Sequence, residues 1–280
     1  MHWHELFRSY DVVCLQETRN TISDPLHGVL AHTHLPYVCH WPRPRQGSPG
    51  QGLAIYVKRQ WEHCVQHTAE AGGHAHAVTI VWEGVTAHIY NCYRSPRVHP
   101  GTFMDALAQL RRRLAPTPDH LELVCGDFNA ALPPLDDRSL DHQGHPLHAP
   151  QRHHLAPAQP PNQAGRALVA ACPTNGWVLL TGRLQDVPVS TSTAGGNTRP
   201  DHLLVSMAHF QWVRRHMLLT HIHGSDHRPL AVHLSLPHSV RPPRVPPIHG
   251  TPLLPCLKWD PELAQEYQLA LLEDPDALQH

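Results

Sequence analysis

The feature that most constrains this chain is a series of short, β-branched apolar runs spread over most of its length, several closed by a polar residue. Residues 11–16 (DVVCLQ) are almost continuously apolar, as in a strand buried on both faces. Residues 53–57 follow Gly50 and Gly52, and residues 77–82 and 85–90 flank Glu83-Gly84, which reads as a hairpin turn. Residues 121–125, 177–180, 202–205, 216–219 and 230–236 complete the expected strands. Helices are fewer. After Thr102 the residues Phe103, Ala106, Leu107, Leu110 and Leu114 share one face, Thr102 with Asp105 resembles a capping box, and Arg111 to Arg113 lie where the helix dipole favours cations. Pro116 and Pro118 stop it. A second helix is expected over 163–171, and residues 2–9 read as the end of a third. Many strands with interspersed helices predict a layered α/β or α+β architecture around one core.

Composition narrows the class. Charge is balanced, 22 basic against 23 acidic residues for a formal −1, so this is no globally basic nucleic-acid binder. Local patches matter more than that sum, so a nucleic-acid substrate stays open. The 28 His and 29 Pro run through strands and loops alike and read as compositional drift rather than as 28 ligands. The nearest thing to a His cluster is His216, His221, His223 and His227. Seven scattered Cys without a C-x-x-C argue against a disulfide framework or zinc module. No run approaches the ~20 apolar residues of a membrane span, and the start lacks a signal-peptide pattern, so an intracellular protein, nuclear or cytoplasmic, is expected. Nothing points to a membrane or an obligate oligomer.

Four segments place polar groups at the ends of apolar strands. Leu15-Gln16-Glu17-Thr18 closes the first run with a carboxylate, which is costly to bury unless paired or metal-bound; the plain alternative is a solvated strand-end Glu. Gly126-Asp127-Phe128-Asn129 follows LELVC, and its Asp and Asn, two apart, can point the same way; alone it could be an ordinary turn. Asp201-His202 heads one strand, and Ser225-Asp226-His227-Arg228-Pro229 heads another; each Asp-His pair offers a metal ligand and a proton-transfer group, or two solvated loop residues.

Taken in order with Tyr93-Arg94-Ser95-Pro96, these segments resemble the endonuclease/exonuclease/phosphatase superfamily, and within it the abasic-endonuclease-like nuclease domain of non-LTR (LINE-type) retrotransposons. Asn162-x-x-Gly165-Arg166 with Leu168, Cys172 and Thr181-Gly182-Arg183 resembles the helix and strand that precede the Asp-His strand there, and Leu257-Lys258-Trp259-Asp260 with Tyr267 resembles the junction after the nuclease. The resemblance implies a four-layer sandwich of two mostly antiparallel sheets flanked by helices, over residues 1–236. A Pro-rich linker over 237–256 and a helical tail over 257–280 are expected to follow. It implies hydrolysis of a phosphodiester by water, with Mg²⁺, or Mn²⁺ in its place, as cofactor and DNA as substrate. By resemblance Glu17 and Asp226 are the metal ligands, and Asp127 positions or deprotonates the water. Asn129 and Tyr93 contact the phosphate. His227 faces the phosphate, oriented by Asp201. Whether Asp127 or His227 is the base stays open.

Two departures qualify this. The family begins with a strand ending in an Asn that helps bind the metal; here ten residues precede Asp11, and Asn20 comes after Glu17 and does not replace it. That predicts a missing first strand, an unpaired sheet edge and a site short of one ligand. Pro200 stands where the family has an aliphatic residue, and it is expected to shift Asp201 relative to His227. Three functions therefore compete: a DNA-nicking endonuclease of retrotransposon type, a catalytically impaired remnant that keeps the fold, and a phosphatase of the same superfamily. No Tyr-x-Asp-Asp polymerase signature is present. Residues 132–161 and 191–198 are the candidate substrate loops.

Overall fold

The computed structural model describes residues 3–18, 37–40, 52–82, 84–133, 160–184, 186, 189–193, 198–222 and 225–236. The expected linker, the tail and most of 132–161 lie outside them.

In chain order the described elements begin with helix α1 (Trp3–Ser9) and strands β1 (Val12–Leu15), β2 (Tyr37–His40) and β3 (Ala54–Lys58), which form an antiparallel ladder in the order β1-β3-β2. Then come β4 (Val65–Ala71), β5 (Ala75–Trp82), β6 (Val85–Tyr93), α2 (Pro100–Leu114), β7 (Leu121–Asp127), α3 (Gln163–Asn175), β8 (Trp177–Leu179) and β9 (Asp201–Ser206). Their strands make a six-stranded sheet in the order β4-β5-β6-β7-β9-β8, antiparallel except for the β6/β7 pair. A parallel pair needs a crossover, and α2 supplies it. The hairpin of β10 (Val213–Leu218) and β11 (Leu230–Leu234) completes the set.

Side-chain alternation stacks these pieces into four layers. On one face of the six-stranded sheet Val78, Ile80, Ile89, Leu121, Leu123, Leu203 and Val205 meet Ile55 and Val57 of β3 and Val213 of β10. On the other face Ala77, Tyr90, Val124, Trp177 and Leu204 meet Phe103, Leu107 and Leu110 of α2 and Leu168 of α3. Beyond the smaller ladders lies α1. Its Phe7 packs with Val13, Ala54 and Tyr56, and its Leu6 packs with Leu219, Ile222 and Ala231. The order is helices, six strands, smaller ladders, helix, which is the expected sandwich. Among the described residues β1 bonds only β3 and β11 only β10, so each presents an open edge.

Several element boundaries differ from expectation. Helix α2 starts at Pro100, not Thr102, and its cap is His99, whose Nδ1 accepts from Gly101 N at 3.1 Å. Pro at the first turn has no N–H to leave unsatisfied and its φ is already helical, so the helix begins earlier. Helix α3 continues past Ala171 and ends at Gly176, whose φ of 67° is the left-handed cap. Strand β4 was not anticipated: it is an edge strand in which only Ala71 is buried, and its sequence (VQHTAEA) has a single large apolar residue, Val65. The short β2 was also not anticipated. The turn between β5 and β6 is the expected one, with Trp82 opposite Val85 and Gly84 at φ 86°; Glu83 lies outside the described residues. No helix among the described residues is long and apolar enough to cross a membrane.

Candidate active site

Strand register puts three polar side chains in one row at the end of the six-stranded sheet. Tyr93 lies opposite Asp127 in the parallel pair, and Asp127 lies opposite Asp201 in the antiparallel pair. All three have the parity of the face between the layers, where β6 buries Ala87 and Ile89, β7 buries Leu121 and Leu123, and β9 buries Leu203 and Val205. Where one more residue would have extended the core, the chain has a phenol and two carboxylates. The close approach depends on Gly126. Its φ is 143°, and a Cβ there would stand 1.9 Å from the carbonyl oxygen of Cys92.

The facing layer supplies the rest. Glu17 follows the end of β1 in a left-handed conformation (φ 50°) and its carboxylate accepts a hydrogen bond from the Tyr93 hydroxyl. Glu17 itself is exposed, as the plain reading of a strand-end Glu required, yet it is tied to the row. Two bridges fix β1 at this depth. Asn91, fully buried, donates from Nδ2 to the carbonyls of Leu15 (2.8 Å) and Ala54 (3.0 Å), and Gln16 donates to Asn91 Oδ1. From the loop before β11, His227 directs Nδ1 at Asp201, 2.9 Å from Oδ2 and 3.1 Å from Oδ1. Asp201 and His227 thus stay within hydrogen-bond distance with Pro200 in place. Arg199, just before the proline, makes an ion pair with the buried Asp186 at 2.7 Å. Asp226 is exposed beside His227.

Asn129 lies beyond the end of β7, also left-handed (φ 46°). Its backbone N–H donates to Asp127 Oδ1 at 2.8 Å and its Nδ2 to Asp127 Oδ2 at 3.3 Å and to the Arg94 carbonyl at 2.9 Å. Asp127 and Asn129 thus point the same way, as the motif suggested.

Electrostatics separates the two groups that could move a proton. Burial, and then the nearby Asp201 carboxylate, push Asp127 up from 3.8 to about 6, against the pull of the Asn129 N–H and His227. The hydrogen bond to Asp201 raises His227 from 6.5 to about 9, with Asp127 and Asp226 adding to it and burial opposing. At neutral pH the pair is a carboxylate and an imidazolium.

Among the described residues Asp127, Asp201 and His227 form a group whose donor atoms all lie within 4.8 Å of one another. Within it the proton on His227 Nδ1 is already shared with Asp201, so the nitrogen is spent on an ion pair rather than open to a metal. Glu17 and Asp226, the two expected metal ligands, stand outside this close group, although the Glu17 charge reaches Asp127 and that of Asp226 reaches His227. The donors that remain are carboxylate oxygens, the chemistry that suits a hard divalent ion.

Other expectations resolve differently. His202 does not share the site with Asp201. As the next residue in a strand it points to the opposite face, where its Nε2 donates to the Ala130 carbonyl at 2.8 Å and its Nδ1 accepts from Thr181. The His216–His227 stretch is no cluster among the described residues. His216 is fully buried near Asp186, with its pKa lowered to about 4 by burial, while His227 belongs to Asp201. Three residues the motifs did not assign prove to brace the loop after Asp127: Arg94, Asn162 and His202. Each belongs to a segment that the sequence singles out, but nothing local ties it to this loop.

A model of the Endonuclease/Exonuclease/phosphatase family matches residues 2–227. Among curated proteins no sequence matches the chain. Several solved structures share its fold. The endonuclease domain of TRAS1, a telomere-specific non-LTR retrotransposon, aligns with a TM-score of 0.57 at 12% identity over 83% of this chain and 88% of that one. An AP endonuclease from Leishmania major aligns with a TM-score of 0.60 at 15% identity over 84% and 81%. A mannosyl-6-phosphatase from Bacteroides thetaiotaomicron gives 0.56 at 13% over 84% and 88%.

Proposed function

This chain belongs to the Endonuclease/Exonuclease/phosphatase family, and from that premise we propose that it hydrolyses phosphodiesters, with DNA as the substrate and a nicked strand as the product. The observation that carries the reading is the row of Tyr93, Asp127 and Asp201, flanked by His227 on Asp201 and Glu17 on Tyr93. A carboxylate, an imidazole and a phenol thereby stand around one spot, the groups that such a hydrolysis would use.

The shifts of Asp127 and His227 support a division of the roles that the motifs left open. His227, held as imidazolium by Asp201, has no lone pair with which to take a proton at neutral pH. It serves as a cation whose Nε2–H faces a non-bridging phosphate oxygen. Asp127 is ionised above about pH 6 and is held by the Asn129 N–H. It accepts the proton of the attacking water as oxygen bonds to phosphorus and the bond to the leaving oxygen breaks. To hold the phosphate, the Asn129 carboxamide would turn its N–H from Asp127 Oδ2 and Tyr93 its O–H from Glu17. Glu17, with Asp226 at longer reach, would hold Mg²⁺ or Mn²⁺, which supplies charge stabilisation on the phosphate and leaving oxygen.

Two other readings each have an observation behind them. Phosphatase action is favoured by the sugar phosphatase among the similar folds. Impaired chemistry is favoured by Glu17 and Asp226 standing outside the close carboxylate group. The experiment that separates them offers the purified chain, with Mg²⁺, a supercoiled plasmid, a 3′-phosphorylated oligonucleotide and a hexose 6-phosphate. Nicked plasmid supports the nuclease, inorganic phosphate alone supports the phosphatase, and no product from any substrate supports the impaired reading.

A further inference from the structure

Arg94 is 7% exposed, and among the described residues its guanidinium is bonded to backbone carbonyls and to no carboxylate. Nε donates to the Phe128 carbonyl at 2.7 Å, Nη2 to Asn129 at 3.0 Å, and Nη1 to Val98 at 2.8 Å and Ser95 at 3.3 Å. Two of these carbonyls belong to the turn that carries Asp127 into Asn129. A buried cation with only neutral partners is a costly way to hold a turn. Its charge, however, lies close enough to Asp127 to feel that carboxylate.

The turn needs holding. Asn129 has a left-handed φ of 46°, a conformation that Asn tolerates better than most side-chain-bearing residues but that still gains from contacts holding it. Arg94 takes the carbonyls of 128 and 129, Asn162 Nδ2 also takes that of 129 at 2.9 Å, and His202 Nε2 takes that of 130 at 2.8 Å. The grip is reciprocal, because the Asn129 carboxamide donates to the Arg94 carbonyl. Phe128, between the gripped groups, is 2% exposed, so water cannot easily replace a lost donor.

We propose that Arg94 is a positioning residue for the hydrolysis: by gripping the Phe128 and Asn129 carbonyls it fixes the Asn129 carboxamide and the Asp127 carboxylate relative to each other and to the phosphate. It touches no reacting atom and acts through the turn. The proposal rests on the phosphodiesterase reading above for its kinetic arm only.

The test compares Arg94→Met, Arg94→Lys and Arg111→Met with the parent chain, at a temperature where thermal melts show all four folded. Arg111 is the control: it pairs with the buried Glu122, away from the row, so its loss lowers stability without touching the turn. On a short DNA duplex with Mg²⁺, kcat of Arg94→Met is expected to fall about 10–100-fold with KM within about twofold, the scale of losing charged hydrogen bonds. Lys, with one ammonium in place of a planar fork, should fall in between, and Arg111→Met should keep its kcat. Amide hydrogen exchange is the readout independent of turnover. Protection of the Asn129 N–H, bonded to Asp127, should be lost in Arg94→Met and kept in Arg111→Met. Unchanged kcat in Arg94→Met, or an equal fall in the control, overturns the proposal. If the parent cleaves nothing, the functional reading alone fails, and exchange decides: unchanged protection at Asn129 in Arg94→Met overturns the positioning role.

Discussion

The His227 Nδ1 stands 2.9 Å from one carboxylate oxygen of Asp201 and 3.1 Å from the other, joining the loop before β11 to the start of β9. This bond is the main reason His227 is raised to about 9. In Asp201→Asn the imidazole should titrate much closer to its ordinary 6.5, followed by NMR of the ring protons in the metal-free protein. A His227 midpoint that does not fall in that variant would mean that another group holds the proton.

The two shifted groups also set a pH window for activity. Asp127 must be ionised and His227 protonated, so turnover should rise through about pH 6 and fall through about pH 9, with a plateau between. A kcat/KM profile measured from pH 4.5 to 10 checks both limbs. A divalent ion bound beside Asp127 should move the acid limb down, so the limb should shift with metal concentration while the alkaline limb should not.

Stability follows the same groups with a sign that can be worked out. Both folded pKa values lie above the unfolded ones, so the folded chain holds each proton more tightly. The Asp127 contribution is present below 3.8 and is lost as pH rises through about 6. That of His227 is present below 6.5 and lost as pH rises through about 9. In metal-free urea titrations the midpoint should therefore decline in two steps as pH rises. Asp127→Asn should remove the first step and leave the protein more resistant to urea at pH 7 than the parent.

Much of this site is visible in the sequence because polar residues at the ends of apolar strands violate the strand pattern. Glu17, Asp127 and Asp201 each stand where the core alternation should have continued or stopped cleanly. What the sequence does not contain is register. Nothing local says that Tyr93, Asp127 and Asp201 share one row, since that depends on β6 pairing parallel with β7 and β7 antiparallel with β9. Nor does it show bracing. Arg94 meets residues more than thirty positions away, and its role exists only once α2, α3 and β7 have closed around the turn. Strand β4 was hidden because an edge strand that buries only Ala71 needs few large apolar residues. The separation of His202 from Asp201 was not legible either, because an Asp-His pair in a strand divides between two faces.

Tyr93 and Glu17 make a further test, since their hydrogen bond joins the two layers at the site. Tyr93→Phe removes a donor to a carboxylate, worth about 1.5–3 kcal/mol, or roughly 10–100-fold in kcat/KM. The change should also alter the apparent affinity for Mg²⁺, read from the metal dependence of the rate, because Glu17 loses its anchor.

Gly126 tests the packing of the row. A Cβ there would meet the Cys92 carbonyl oxygen at 1.9 Å in a backbone conformation that other residues rarely adopt. Gly126→Ala should destabilise the chain by about 2–4 kcal/mol, as strained backbone sites with steric overlap do. Gly73→Ala, also at positive φ but with open space at its Cβ, should cost less. Urea unfolding of both variants compares the two costs.

The most direct test of the central claim, that Asp127 and His227 run phosphodiester hydrolysis at this site, is plasmid nicking. Purified parent, Asp127→Ala and His227→Ala chains are incubated in parallel with supercoiled plasmid and Mg²⁺, and the relaxed fraction is followed on a gel. Nicking by the parent is expected, abolished by EDTA and reduced by each substitution at least about 100-fold, the usual scale for a group engaged in the transition state. Equal relaxation in all three, or none in the parent, would contradict it.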